Sequence, residues 1–194
     1  MSKAWFLVKG CARALVAAYD LPVCLPPGPL PDALLPHPLV VVVDDIRSAH
    51  NVGSVFRTAD AAGLRHVYLT GYSATPEHRD VRKTALGAED AVPWTHEPDV
   101  LALLARLRAQ GYTIAALERT PDAIPPESVE PRHFPLALVL GNEVTGVPPA
   151  VLAVADVVVG LPQYGTKGSL NVSVAFGVTA YSLVNTYRSP HVLQ

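Results

Sequence analysis

Cysteine is almost absent from this chain: Cys11 and Cys24 are the only two among 194 residues. Two are too few for a disulfide scaffold, and neither stands at a zinc-binding interval from another ligand. The seven histidines are scattered, none paired with a cysteine or an acid at metal-ligand spacing, so no metal is expected. Long apolar runs are missing too. Nothing approaches the roughly 20 uninterrupted apolar residues of a membrane span. The apolar segment from Ala4 to Tyr19 is broken by Lys9 and Arg13 and followed by no small-residue cleavage site, which leaves a cytoplasmic location as the expectation. Charge is sparse, at 16% of residues with a net of −2 and a pI near 6.4, which excludes a uniformly basic surface of the kind that grips nucleic acid. No Gly-x-Gly-x-x-Gly follows a strand, Gly165-Thr-Lys-Gly-Ser lacks P-loop spacing, and no serine-hydrolase elbow is present.

What the chain has instead is apolar bulk. Hydrophobic residues make up 49% and the mean hydropathy is +0.26, enough for one domain with a substantial core and compatible with a subunit interface, so composition alone already admits a homodimer. The few cations gather locally. Arg47, His50, Arg57, Arg65 and His66 form one group, and Arg79, Arg82 and Lys83 a second that equally fits an ordinary solvated surface.

Patterning divides the chain into an arm over 1–38, a domain over 39–187 and a short tail over 188–194. The arm ends in a proline-dense run, Leu25 to Pro38, that sustains neither helix nor central strand. The run from Leu39 into Asp44-Asp45 is β-branched and apolar, as in a strand buried on both faces of a parallel sheet. Asn51 to Ala61 has helical spacing with Gly63 as its stop. Strands follow at Val67 to Leu69, Thr113 to Leu117, Leu136 to Leu140 and Val157 to Val159, with helices at Val100 to Gln110 and Asn171 to Tyr187. The alternation makes a parallel α/β sheet, whose ligands sit beyond the carboxyl ends of the strands. The loops after Asp44, Leu117, Leu140 and Gly160 are therefore the places to look.

Three segments around those loops carry chemistry. In Asp44 to Asp60, Asn51 and Arg57 are expected to converge on one ligand from one side of the helix, with Gly53 leaving room for something to approach its backbone. In Leu140 to Pro148, Gly141 lets a cofactor lie against the strand end and Glu143 places a carboxylate in the same crevice. In Leu161 to Ala175, glycines, Lys167 and a row of hydroxyl and amide groups lead into an apolar helix whose free N–H groups bind ligand oxygens. Each segment alone also fits a structural role: Asn51 as a helix cap, Arg57 as a solvent-facing residue, Gly-Asn-Glu as a turn, Ser169 as the cap of the last helix. Asn171 weighs against the last of these, being a polar group that a Ser169 cap does not need.

Taken together and in order, the three segments resemble the signature motifs of the SpoU (TrmH) family of SPOUT RNA methyltransferases. Asn51, Gly53 and Arg57 fit the first, Gly141-Asn142-Glu143 the second, and Leu161-Pro162 with Ser169-Leu170-Asn171-Val172-Ser173 the third. The resemblance spans Leu39 to Tyr187. It implies a parallel α/β domain whose C-terminal part is threaded into a trefoil knot, a dimer interface beside the knot, and S-adenosylmethionine held by groups around Leu117, Gly141, Leu161 and Leu170. Asn51, Arg57, Glu143, Ser169 and Asn171 would surround the reacting centre, where a ribose 2′-hydroxyl of RNA is methylated. Transfer RNA is the expected substrate ahead of ribosomal RNA, and with some 38 residues before the first strand, RNA selection would fall to the domain, the arm and the partner subunit. Relatives are assigned an activating arginine, here Arg57. A guanidinium holds its proton too tightly to be a good base, so binding phosphate and stabilising the developing alkoxide is the role expected of it. The alternatives are a knotted protein that binds RNA or a nucleotide without catalysis, and a methyltransferase acting on a small molecule.

Overall fold

The computed structural model describes residues 36–188; the apolar N-terminal segment, the proline-dense run up to Leu35 and residues 189–194 lie outside them. In chain order the elements are β1 (His37–Asp44), α1 (Ala49–Ala61), β2 (Leu64–Thr70), α2 (Arg79–Ala85), α3 (Ala88–Ala91), β3 (Trp94–Glu97), α4 (Val100–Ala109), β4 (Thr113–Leu117), β5 (Leu136–Leu140), α5 (Pro149–Leu152), β6 (Val157–Val159) and α6 (Val172–Arg188). The strands form one six-stranded sheet in the order β3-β2-β1-β5-β4-β6, every pair parallel. β5 enters between β1 and β4, pairing Leu39 with Leu136 on one side and Thr113 with Leu136 on the other.

The continuous apolar runs are explained by burial on both faces. Leu39, Val41 and Val43 of β1 pack with Val52, Val55, Phe56 and Ala59 of α1 and with Phe176, Ala180 and Leu183 of α6. Val40 and Val42 point the other way, onto Leu103, Leu104 and Leu107 of α4. At about 25 cal/mol per Å2 of apolar surface removed from water, these two layers are the main force holding the sheet between its helices.

Some boundaries differ from the sequence reading. β1 begins at His37, so the last two residues assigned to the arm already belong to the sheet; its pairing with β2 shifts register between His37 and Val40, where Pro38 has no N–H to give. Gly63 does follow α1, with a φ of +65°, and its carbonyl accepts the N–H of His37. β2 is longer than expected at Leu64–Thr70. β3, α2 and α3 carried no apolar run long enough to announce them: β3 is a four-residue edge strand with no fully buried position.

Candidate active site

Ser48 caps α1, its backbone extended and its hydroxyl accepting the N–H of Asn51 at 3.3 Å. Asn51 is therefore not the cap, and its side chain is free for other partners. Its amide nitrogen donates to Glu143 Oε1 at 2.9 Å, and its amide oxygen accepts from Asn171 Nδ2 at 3.0 Å. Glu143 also accepts the N–H groups of Arg47 (3.0 Å) and Ser48 (3.1 Å). Chemistry fixes the orientation of both amides. A carboxylate only accepts, so Asn51 turns its nitrogen to Glu143; Asn171 accepts N–H groups on its oxygen, so its nitrogen faces Asn51. The three motifs thus meet in one hydrogen-bonded chain, Asn171 to Asn51 to Glu143. Partial burial pushes the Glu143 carboxyl up, but the bonds from Asn51 and the surrounding N–H groups outweigh it and hold the group below its ordinary value.

Asn171 is the residue that caps α6, so the structural reading holds with Asn171 in place of Ser169, and Asn171 is not the spare polar group that weighed against that reading. Its Oδ1 accepts from Ser173 N (2.9 Å), Ser173 Oγ (2.7 Å) and Val174 N (3.4 Å). One amide therefore starts the helix with its oxygen and ties it to α1 with its nitrogen. Asn142 makes a similar link within the second motif. Its Nδ2 donates to Asp45 O at 2.7 Å while its Oδ1 accepts from Val144 and Thr145, fastening the loop after β5 to the loop after β1.

Beyond the carboxyl ends of β4, β5 and β6 lies a cavity of about 810 Å3. Leu117, Gly141, Leu161 and Leu170, expected around a cofactor, all line it, as do Glu143, Ser169 and Asn171. Among the described residues the Ser169 hydroxyl has no hydrogen-bond partner. Asn51 joins this wall through its two bonds. Arg57 does not: it is exposed on α1, lines no part of the cavity and has no polar partner among the described residues. The expectation that Arg57 and Asn51 converge from one side of the helix fails on geometry, because six positions at about 100° each leave them about 120° apart.

Two glycines act otherwise than expected. A Cβ on Gly141 would lie 2.3 Å from the backbone of Gly146 and Val147, so the chain's own loop fills the space reserved for a cofactor. At Gly53 the close approach is by α2: a Cβ there would meet the Val81 carbonyl at 2.5 Å. The sequence reading also passed over Glu118 and Arg119, which line the cavity just after Leu117. Their signal was an acid and a base immediately beyond a strand already singled out. Among the described residues, no group of histidines, cysteines and acids is arranged to hold a metal, and no helix is long and apolar enough to cross a membrane.

Comparison with known proteins gives the same picture. Residues 38–181 match the model of the SpoU rRNA Methylase family. The 23S rRNA (guanosine-2′-O-)-methyltransferase RlmB of Vibrio parahaemolyticus is 30% identical over 176 residues, which is 89% of this chain and 70% of that one. The chain spans 58% to 70% of the curated relatives' lengths. Among solved structures, the TrmH/SpoU tRNA modifying enzyme of A. aeolicus superposes with a TM-score of 0.73 at 26% identity, covering 82% of this chain and 79% of that one. The AdoMet-bound rRNA methyltransferase of Sinorhizobium meliloti gives 0.70 at 26% identity, covering 81% and 59%. With its three motifs joined at the carboxyl end of one parallel sheet, the chain belongs to the SpoU methylase family.

Proposed function

We propose that this protein is a homodimeric methyltransferase that moves a methyl group from S-adenosylmethionine to a ribose 2′-hydroxyl of RNA. The observation that carries the reading is the Asn171–Asn51–Glu143 chain set in the wall of a large crevice beyond the strand ends. The residues present fit the cofactor: about 810 Å3 is ample for a group of that size, and Leu117, Leu161 and Leu170 supply apolar contact beside backbone loops rich in N–H and carbonyl groups. The AdoMet-bound structure of the Sinorhizobium meliloti relative supports the same choice. The threading of the C-terminal part into a knot, as the resemblance implies, is included in the proposal.

When bound, S-adenosylmethionine supplies a methyl group already activated on a sulfonium. The protein's part is to present the sugar hydroxyl in line and let its proton leave as the new C–O bond forms. The Ser169 hydroxyl, open to the cavity, orients the ribose. Asn51 holds Glu143 and Asn171 in register, acting by positioning. The planar guanidinium of Arg57 binds phosphate and steadies the developing alkoxide through its N–H donors; since it is outside its own cavity, we place it in the cavity of the partner subunit. In support, Val174, Val178 and Tyr181 recur at helical spacing on α6, exposed at 51%, 52% and 49%, directly beyond Val172 and Ala175 of the cavity wall. A partner covering that ridge reaches the rim.

Relatives named for ribosomal RNA and for transfer RNA both match, so the expected preference for transfer RNA is for the assay to decide. Incubation with methyl-labelled S-adenosylmethionine and either bulk transfer RNA or ribosomal RNA should leave an alkali-resistant 2′-O-methyl mark on one of them. Arg57→Ala should abolish the transfer with cofactor binding nearly intact, and mixing it with Ser169→Ala protein should restore part of the activity through mixed dimers. RNA bound without any mark would favour a pure binding protein, and full turnover by Arg57→Ala would remove that residue from the mechanism.

A further inference from the structure

Besides Glu143, the cavity is lined by a second acid, Glu118, and the fold has turned both inward on itself. Glu118 Oε2 accepts from Val147 N and its Oε1 from Arg119 N, each at 2.8 Å, while its own N–H donates to the Val159 carbonyl at 3.0 Å. A Cβ on Gly146 would fall 2.3 Å from Glu118 Oε2. Both oxygens are thus committed to backbone N–H groups, as those of Glu143 are to the N–H groups of Arg47 and Ser48 and to the side-chain amide of Asn51.

The neighbouring cation is treated differently. Arg119 is exposed and lines the cavity. The ion pairs among the described residues are Arg106 with Glu97, Arg108 with Asp156 and Arg132 with Glu130, and Arg119 belongs to none. Its two terminal nitrogens lie across Gly168, each 3.7 Å from where a Cβ would stand, so the missing side chain leaves the guanidinium uncovered next to Ser169. Lys167 adds a second exposed cation to the same loop. The acids of the crevice are satisfied from within; the cation faces out.

We propose that Arg119 is an anchor for a phosphodiester of the RNA, seating the backbone at the mouth of the crevice beside Ser169. The inference rests on the methyltransferase reading above and adds a substrate-binding residue outside the three motifs. A planar guanidinium fork matches two phosphate oxygens, and in a protein with a net charge of −2 the grip on a polyanion must come from such local points. The position favours a polymer over the carboxylate of the cofactor, because every residue from Tyr164 to Asn171 is exposed and Arg119 sits against that outer loop.

Full-length wild type, Arg119→Ala and Arg119→Lys are compared by fluorescence anisotropy on end-labelled bulk transfer RNA and on ribosomal RNA fragments, across a series of KCl concentrations. Arg119→Ala should weaken RNA binding about tenfold and lower the slope of log K against log salt by about one. Arg119→Lys should keep the slope and recover part of the affinity. S-adenosylmethionine affinity by calorimetry and melting temperature should stay at wild-type values. Unchanged RNA affinity and slope in Arg119→Ala would overturn the proposal, and so would a loss of cofactor affinity in place of RNA affinity. Wild type that binds RNA but transfers no methyl group would sink the functional reading instead, with Arg119 still judged by its slope.

Discussion

Asn171 Nδ2 donates to Asn51 Oδ1 at 3.0 Å, joining residues 120 positions apart. The contact makes the start of α6 depend on α1, because the same Asn171 supplies the cap of α6 through its other amide atom. Motifs that could each be a local structural device are coupled by it into one wall.

Breaking that coupling should be visible in a double-mutant cycle. Asn51→Ala and Asn171→Ala each lose bonds, and together they should show an interaction energy of about 0.5–1.5 kcal/mol in urea unfolding. Strict additivity would mean that the two amides do not support one another. Asn51→Asp should be worse for methyl transfer than Asn51→Ala, since it sets a second carboxylate against Glu143.

The Glu143 carboxyl is held below its ordinary value, so the folded state favours its ionised form. Its contribution to stability is then complete at neutral pH and is lost as the pH falls through the lowered value. The melting-temperature difference between wild type and Glu143→Gln should be positive at pH 7 and should close below about pH 4. A difference that widens in acid would contradict the assignment of its hydrogen bonds.

Asp44 behaves in the opposite sense. It is buried at the end of β1, and burial raises its carboxyl despite a 2.6 Å bond from Thr70 Oγ1. A group that binds its proton more readily when folded costs stability once it is ionised. Asp44→Asn keeps an acceptor for Thr70 and removes that cost. Thermal unfolding should show a gain of a few degrees, on the order of 1 kcal/mol, at pH 7, fading as the pH approaches about 4.

Gly53 and Gly141 have no room for even a methyl group, so Gly53→Ala and Gly141→Ala should each destabilise by about 1–3 kcal/mol. They should differ in a second measurement. Gly53→Ala pushes α1 from α2 and should leave cofactor affinity close to wild type, whereas Gly141→Ala displaces the Gly146–Val147 loop and should weaken it at least tenfold. Equal effects on affinity would mean that the two glycines do not divide between packing and the crevice wall.

The sequence made the sheet legible wherever strands are buried on both faces, because Leu39 to Val43 and Leu136 to Leu140 leave no polar position to confuse them. It hid β3, an edge strand whose alternation is lost in four residues, and α2, whose apolar face is only Val81 and Ala85. Residue types and order singled out Asn51, Glu143, Ser169 and Asn171, which the fold brings to one crevice wall, but not the hydrogen bonds each makes there. Which amide caps a helix depends on a one-residue shift in where the helix starts, and α6 starts at Val172. The role of Gly141 depends on where a loop returns, five residues later, onto its own strand end. Arg57 could have been placed correctly from the sequence, because a six-residue helical separation already turns it about 120° away from Asn51.

The insertion of β5 between β1 and β4 has a consequence for biosynthesis. Leu39 pairs with Leu136, so when β1 leaves the ribosome its neighbour on that side has yet to be translated. Until β5 emerges, a nascent chain carries an unprotected edge of leucine and valine, the kind of surface that draws aggregation or a chaperone. Shortening this polypeptide from its C-terminal side past Leu136 would make that transient exposure permanent.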